Sequence, residues 1–301
     1  MATLAPSVTS RDPKGHKFVS VVEAAYNKAR LTEEEAQRIN NTPGLVDLIT
    51  AFIAENRSGN KYASEVVRSN YVYPPEYKGP KPIVEQIRMI AEIFPCLDTA
   101  IALDYAARLP ELPEGAEGWF AIPSIGALAR AHFPKVKDPA EQYCQAILLT
   151  LAQIKASRPF YNYRDGQITP GYLRMHARTA QAMERIIEVQ TGGDILVIAA
   201  QLGLRHRGKS TCRARETFVV NEYGLGSLAG GAIALTHPER FVRREQLHED
   251  LPGDEFALGA DGRFGYAPFF FLFCDGRVRF GAYGVGGYGA RYGSASGFLP
   301  Q

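Results

Sequence analysis

Ile195-Leu196-Val197-Ile198-Ala199-Ala200, followed by Gly203-Leu204-Arg205-His206-Arg207-Gly208-Lys209-Ser210, decides between two fold classes. The first run is uninterrupted and apolar, which predicts a buried strand. The second satisfies the pattern G-x-x-x-x-G-K-[ST], in which glycines let backbone N–H groups turn around phosphate oxygens while Lys209 reaches the terminal phosphates and Ser210 holds Mg²⁺. Such a loop belongs to a sheet with alternating strands and helices. Phe269-Phe270-Phe271-Leu272-Phe273-Cys274-Asp275 supplies an apolar strand ending in an acid, as a metal-binding partner strand does.

The residues after Ser210 point the other way. Thr211-Cys212-Arg213-Ala214-Arg215-Glu216 is mostly polar where the loop's own helix needs an apolar face, and one glycine-rich helix and an antiparallel hairpin follow. Asp275 opens an Asp-Gly turn, which accounts for it without a metal. The chain therefore reads as α+β, with a helical N-terminal half and a mixed C-terminal half containing antiparallel β-hairpins.

In the N-terminal half, Thr32-Glu33-Glu34-Glu35 is a capping box, and Thr42-Pro43 opens a helix carrying Leu45, Leu48, Ile49, Phe52 and Ile53 at helical spacing. Ile83, Val84, Ile87, Ile90 and Ile93 mark a third helix stopped by Pro95, and Asp98 caps a fourth running to Leu109. Residues 110–118, rich in Pro, Gly and Glu, read as the boundary between domains at 1–110 and 119–301. Beyond it come a strand at Trp119, a helix from Asp138-Pro139 to Ser157, a hairpin around Asp165-Gly166 and a long helix from Thr169-Pro170 to Thr191. The hairpin around Asp275-Gly276 is the clearest in the chain, and Phe298 and Leu299 are expected to fold back and cover it.

With 46% hydrophobic and 22% charged residues the composition is that of a globular protein. The longest apolar runs are six residues, against the ~20 a membrane-spanning helix needs, and residues 1–15 lack the apolar core of a signal peptide. A cytoplasmic protein is expected. The four cysteines show no C-x-x-C spacing and predict buried thiols rather than disulfides or a zinc site.

The formal net charge of +2 hides an asymmetry. Residues 155–215 hold eleven Lys and Arg against four acids, so this stretch carries +7 and the remainder −5. Arg158, Arg164, Arg174, Arg178, Arg205, Arg207, Lys209, Ser210, Arg213 and Arg215 are the candidate phosphate contacts, and Tyr161, Tyr163 and Tyr172 interleave with the arginines as stacking rings do on single-strand-binding surfaces. The expectation is a polymer-binding protein whose partner is nucleic acid or another polyanion, with no cofactor and no catalytic residue assigned. An enzyme acting on a nucleotide or phosphoester through residues 203–210, with Mg²⁺ on Asp254, Glu255 or Asp275, is the first alternative, although His248-Glu249-Asp250 and Asp254-Glu255, with Asp261 nearby, read first as a solvated acid-rich loop. A structural or assembly protein, with a protein partner on the helical half, is the second.

Overall fold

The computed structural model describes residues 11–42, 44–46, 48–50, 61–259 and 262–300. The chain divides into two compact units, Met1–Lys61 and Tyr62–Gln301. In the first unit α1 spans Pro13–Lys28 and α2 spans Glu33–Asn40. The capping box at α2 forms as the sequence predicts: the Glu35 N–H donates to Thr32 Oγ1 (3.3 Å), and the Thr32 N–H donates to the Glu35 carboxylate (2.8 Å). Leu45, Leu48 and Ile49 are helical, while Pro43, Phe52 and Ile53 lie outside the described residues.

The second unit is built on two sheets. Helices α3 (Ile83–Ile93), α4 (Ala100–Ala106), α5 (Ile125–His132), α6 (Pro139–Ser157), α7 (Ala177–Val189), α8 (Thr211–Glu216) and α9 (Ser227–Thr236) accompany strands β1 (Gly118–Pro123), β2 (Phe160–Asn162), β3 (Leu173–Met175), β4 (Ile195–Gln201), β5 (Glu222–Gly224), β6 (His248–Asp250), β7 (Asp254–Phe256), β8 (Tyr266–Leu272), β9 (Val278–Gly284), β10 (Tyr292–Ser294) and β11 (Ser296–Phe298). The first sheet, ordered β1-β4-β11-β5, is antiparallel throughout. The second is mixed: β10-β6-β8-β7-β3 forms its path, β9 pairs with β8, and β2 pairs in parallel with β9. The α+β class holds, with helices leading the chain and antiparallel and mixed sheets in its C-terminal half.

Helix α9 belongs to the core between the sheets. It packs on α6 and on β1, and a Cβ at Gly231 would stand 2.8 Å from Thr150 and 3.8 Å from the Phe270 ring, so only small residues fit this close approach. Phe270, Leu272, Val278 and Phe280 alternate inward along β8 and β9 and are buried. The two sheets meet in sequence at Ala295, where the chain leaves β10 and enters β11.

Several elements differ from the sequence reading. Residues 110–118 run inside the second unit: the Glu117 N–H donates to the Ala200 carbonyl (2.8 Å), and its carboxylate accepts from the Tyr73 hydroxyl (2.6 Å). The expected hairpin at Asp165-Gly166 is replaced by the β2–β9 parallel pair, because the β9 edge offers a longer-range partner. The long helix starts only at Ala177, since Leu173–Met175 is taken by the ladder to β7. Phe298 is fully buried as expected, but in β11 between β4 and β5 rather than over the hairpin. Of the four cysteines only Cys144 is buried. No described helix is long and apolar enough to cross a membrane.

Candidate nucleic-acid interface

The phosphate-loop pattern does not adopt a phosphate-loop conformation. Strand β4, which feeds it, lies in an antiparallel sheet. Every backbone N–H from 203 to 210 already has an internal acceptor. Gly203 and Arg205 donate to Gln201 Oε1, Leu204 to the Tyr73 hydroxyl, His206 to Gly203 O and Arg207 to Leu204 O. Gly208 donates to Tyr292 O (2.7 Å), Lys209 to His206 O and Ser210 to Glu65 O (3.0 Å). No backbone donor of this segment is left to cradle an anion.

The two glycines have a packing cause instead. Gly203 sits at φ +122° and Gly208 at φ +78°, and a Cβ would stand 2.8 Å from Gly293 O at the first and 2.2 Å from Val67 O at the second. Lys209 points inward, its Nζ donating to His206 Nδ1 (3.1 Å) and Thr217 Oγ1 (3.0 Å). Burial, then the neighbouring Arg213, lowers its pKa. Burial pushes the His206 pKa down, and its Nε2 meets buried Glu222 (2.6 Å), which also accepts from Ser296 Oγ (2.6 Å). Ser210 caps α8, accepting from the Arg213 N–H and donating to Glu65.

Most of the basic band fastens loops rather than facing outward as one stripe. Arg158 donates to the carbonyls of Pro238 and Phe241, Arg164 to Ala282 O, Arg178 to Val219 O and Arg215 to Pro252 O and Asp254 O. Arg174 pairs with Glu255 (2.8 Å), Arg213 with Glu216 (2.6 Å) and Arg205 with Glu222 (3.5 Å). Guanidinium groups suit this role because a planar fork satisfies two acceptors at once. Arg207 differs. It is exposed, and among the described residues its guanidinium bonds only the Tyr71 carbonyl (3.2 Å).

The acidic stretch expected as a solvated loop is instead buried in β6 and β7. Asp254 accepts from the Tyr143 hydroxyl (2.7 Å) and the Ser227 N–H (2.6 Å), and burial pushes its pKa to about 6. Glu249 and Asp250 are buried as well, and desolvation raises them to about 8 and about 7. With Glu255 held by Arg174, neither Asp254 nor Glu255 presents a free carboxylate to a shared Mg²⁺ site. Asp261 lies outside the described residues. Among the described residues no three His, Cys, Asp or Glu side chains converge as metal ligands.

The second sheet carries a different arrangement on the face turned away from its core. Register places Tyr161 beside Arg279, Arg279 beside Phe271, and Tyr292 beside His248. Phe271 and His248 close the row with ring centroids 5.2 Å apart, and His248 lies 5.3 Å from Tyr292. Around this row Phe269 stacks on Phe271 (4.9 Å), Tyr283 on Tyr292 (5.2 Å), and the Arg279 guanidinium covers Phe273 (3.6 Å) and approaches Tyr163 (5.2 Å). The accessible rings are Tyr161 (46% exposed), Tyr163 (45%), Tyr283 (44%) and Phe273 (38%). Burial, then Arg291, pushes the His248 pKa down to about 4, so at neutral pH it is an uncharged ring.

Cations stand at both ends of this face. At the β2 end, Arg277 and Arg279 share the single carboxylate of Asp275. At the β10 edge, Arg291 donates to the Tyr71 hydroxyl (2.9 Å) and Arg207 to the Tyr71 carbonyl, and no described carboxylate pairs with either. Sequence reasoning missed this site except for Tyr161, Tyr163 and Arg207. The readable signal was the alternation Phe269, Phe271, Phe273, which puts three rings on the side of β8 opposite the core. No protein-family model, curated protein or solved structure matches the chain.

Proposed function

We propose that the protein binds nucleic acid in the cytoplasm, through the outer face of the second sheet. The observation that carries this reading is the pair Arg207 and Arg291, two guanidinium groups with no carboxylate partner among the described residues, at the edge of a half-exposed aromatic face. Arginine without a compensating acid attracts phosphate, and rings beside it add contacts that a simple ion-exchange surface lacks. The basic band contributes Arg207 to this surface, while most of its other members hold the scaffold together.

A fluorescence-anisotropy titration with labelled oligonucleotides tests the reading. Binding should weaken steeply from 50 to 200 mM salt (roughly tenfold or more), since each neutralised phosphate releases counterions. The double variant Arg207→Gln with Arg291→Gln should bind less tightly and show a shallower salt slope. Absence of binding to any DNA or RNA at low salt overturns the proposal.

A further inference from the structure

We infer that the occupant of this face is an unpaired strand whose bases stack on the accessible rings Tyr161, Tyr163, Phe273 and Tyr283, which stand along the transverse row Tyr161, Arg279, Phe271, His248 and Tyr292. The inference rests on the nucleic-acid reading above and names which form of nucleic acid the face takes. Its basis is register: the row draws one planar side chain from each of five adjacent strands, β2, β9, β8, β6 and β10. At about 4.8 Å between strands the row is roughly 19 Å long. That length suits a short run of nucleotides, near the lower end of the ~4–16 that single-strand-binding folds cover.

Planar groups reward only bases whose faces are free. In a duplex those faces are stacked on their neighbours, and a flat sheet then meets sugar and phosphate alone. Phe273 and Tyr163 lie against Arg279 and Tyr283 stacks on Tyr292, so the row supports from beneath the exposed rings, which stack on any base without reading its edge. Cations lie at the ends, with Arg277 at the β2 end and with Arg291 and Arg207 near Tyr292, where they can hold the backbone as it enters and leaves. A neutral polysaccharide also stacks on aromatic rows, but it gains nothing from two uncompensated arginines.

The test uses the full chain and three labelled probes: a twelve-nucleotide single strand, the duplex of the same sequence, and a neutral glucan of similar length. The expected result is at least tenfold tighter binding of the single strand than of the duplex, and no binding of the glucan. Tyr161→Ala and Tyr163→Ala, both at exposed positions, should each weaken single-strand binding about tenfold, the scale of one lost base–ring stack. Tyr161→Phe, which keeps the ring, should restore it. Equal or tighter duplex binding overturns this inference and leaves the nucleic-acid reading standing. Glucan binding with no nucleic-acid binding overturns both.

Discussion

Gly203 and Gly208 satisfy a ligand-binding pattern for reasons internal to the fold. Each occupies a left-handed backbone conformation with a carbonyl where a Cβ would project, from Gly293 in one case and Val67 in the other. Gly203→Ala and Gly208→Ala should each destabilise the protein by at least about 2 kcal/mol, read by chemical denaturation. Lys209→Gln should leave oligonucleotide affinity within about twofold, because its ammonium faces His206 and Thr217 rather than the surface. An affinity loss as large as that of Arg207→Gln would return the phosphate contacts to this loop. At this scale the sequence was legible in residue type but not in direction. Charge counting located the arginines, yet which of them bonds a carbonyl and which faces outward depends on partners 30 to 140 positions away, such as Pro238 for Arg158 and Tyr71 for Arg207.

At the scale of elements, local signals were sufficient where one segment determines its own structure. The capping box of α2, the Asp138-Pro139 start of α6 and the Asp275-Gly276 turn all form as read. They were insufficient where a distant strand competes. Phe160–Asn162 forms a strand as the expected hairpin requires but pairs with β9, and Leu173–Met175, inside the expected long helix, becomes a strand because β7 pairs with it. Strand β11 is the sharpest case. Its three residues pair with β4 on one side and β5 on the other, and Phe298 is completely buried. Deleting residues 297–301 should therefore cost more than the loss of one large side chain, about 3–5 kcal/mol or a failure to fold, measured as a fall in melting temperature. A truncated chain that melts with the parent would show that β11 does not hold the first sheet together.

For the molecule as a whole, the buried carboxylates set a pH dependence. Glu249 and Asp250 stay protonated in the folded state to about pH 8 and about pH 7, whereas an unfolded chain releases both protons near ordinary carboxylate values. Between these limits the folded state binds more protons, so stability falls as pH rises. Buried His237 and His248, both pushed down to about 4, oppose this trend only below about pH 6.5, the ordinary histidine value. From pH 6.5 to 8 the slope should be on the order of 1 kcal/mol per pH unit, and Glu249→Gln should flatten it. A melting temperature that rises across this window would mean the two acids are solvated. The same acids look like a surface loop in the sequence, because charge alone does not reveal burial.

The proposed nucleic-acid contact lies on the aromatic face of the second sheet and not on the 203–215 segment as a whole. Ultraviolet cross-linking of a twelve-nucleotide thymidine strand to the full chain, followed by mass mapping of the joined peptides, tests it at residue resolution. Adducts are expected on Tyr161, Tyr163, Phe273 and Tyr283, the accessible rings of that face. Adducts confined to residues 203–215, with none on β2, β8 or β9, would contradict that placement.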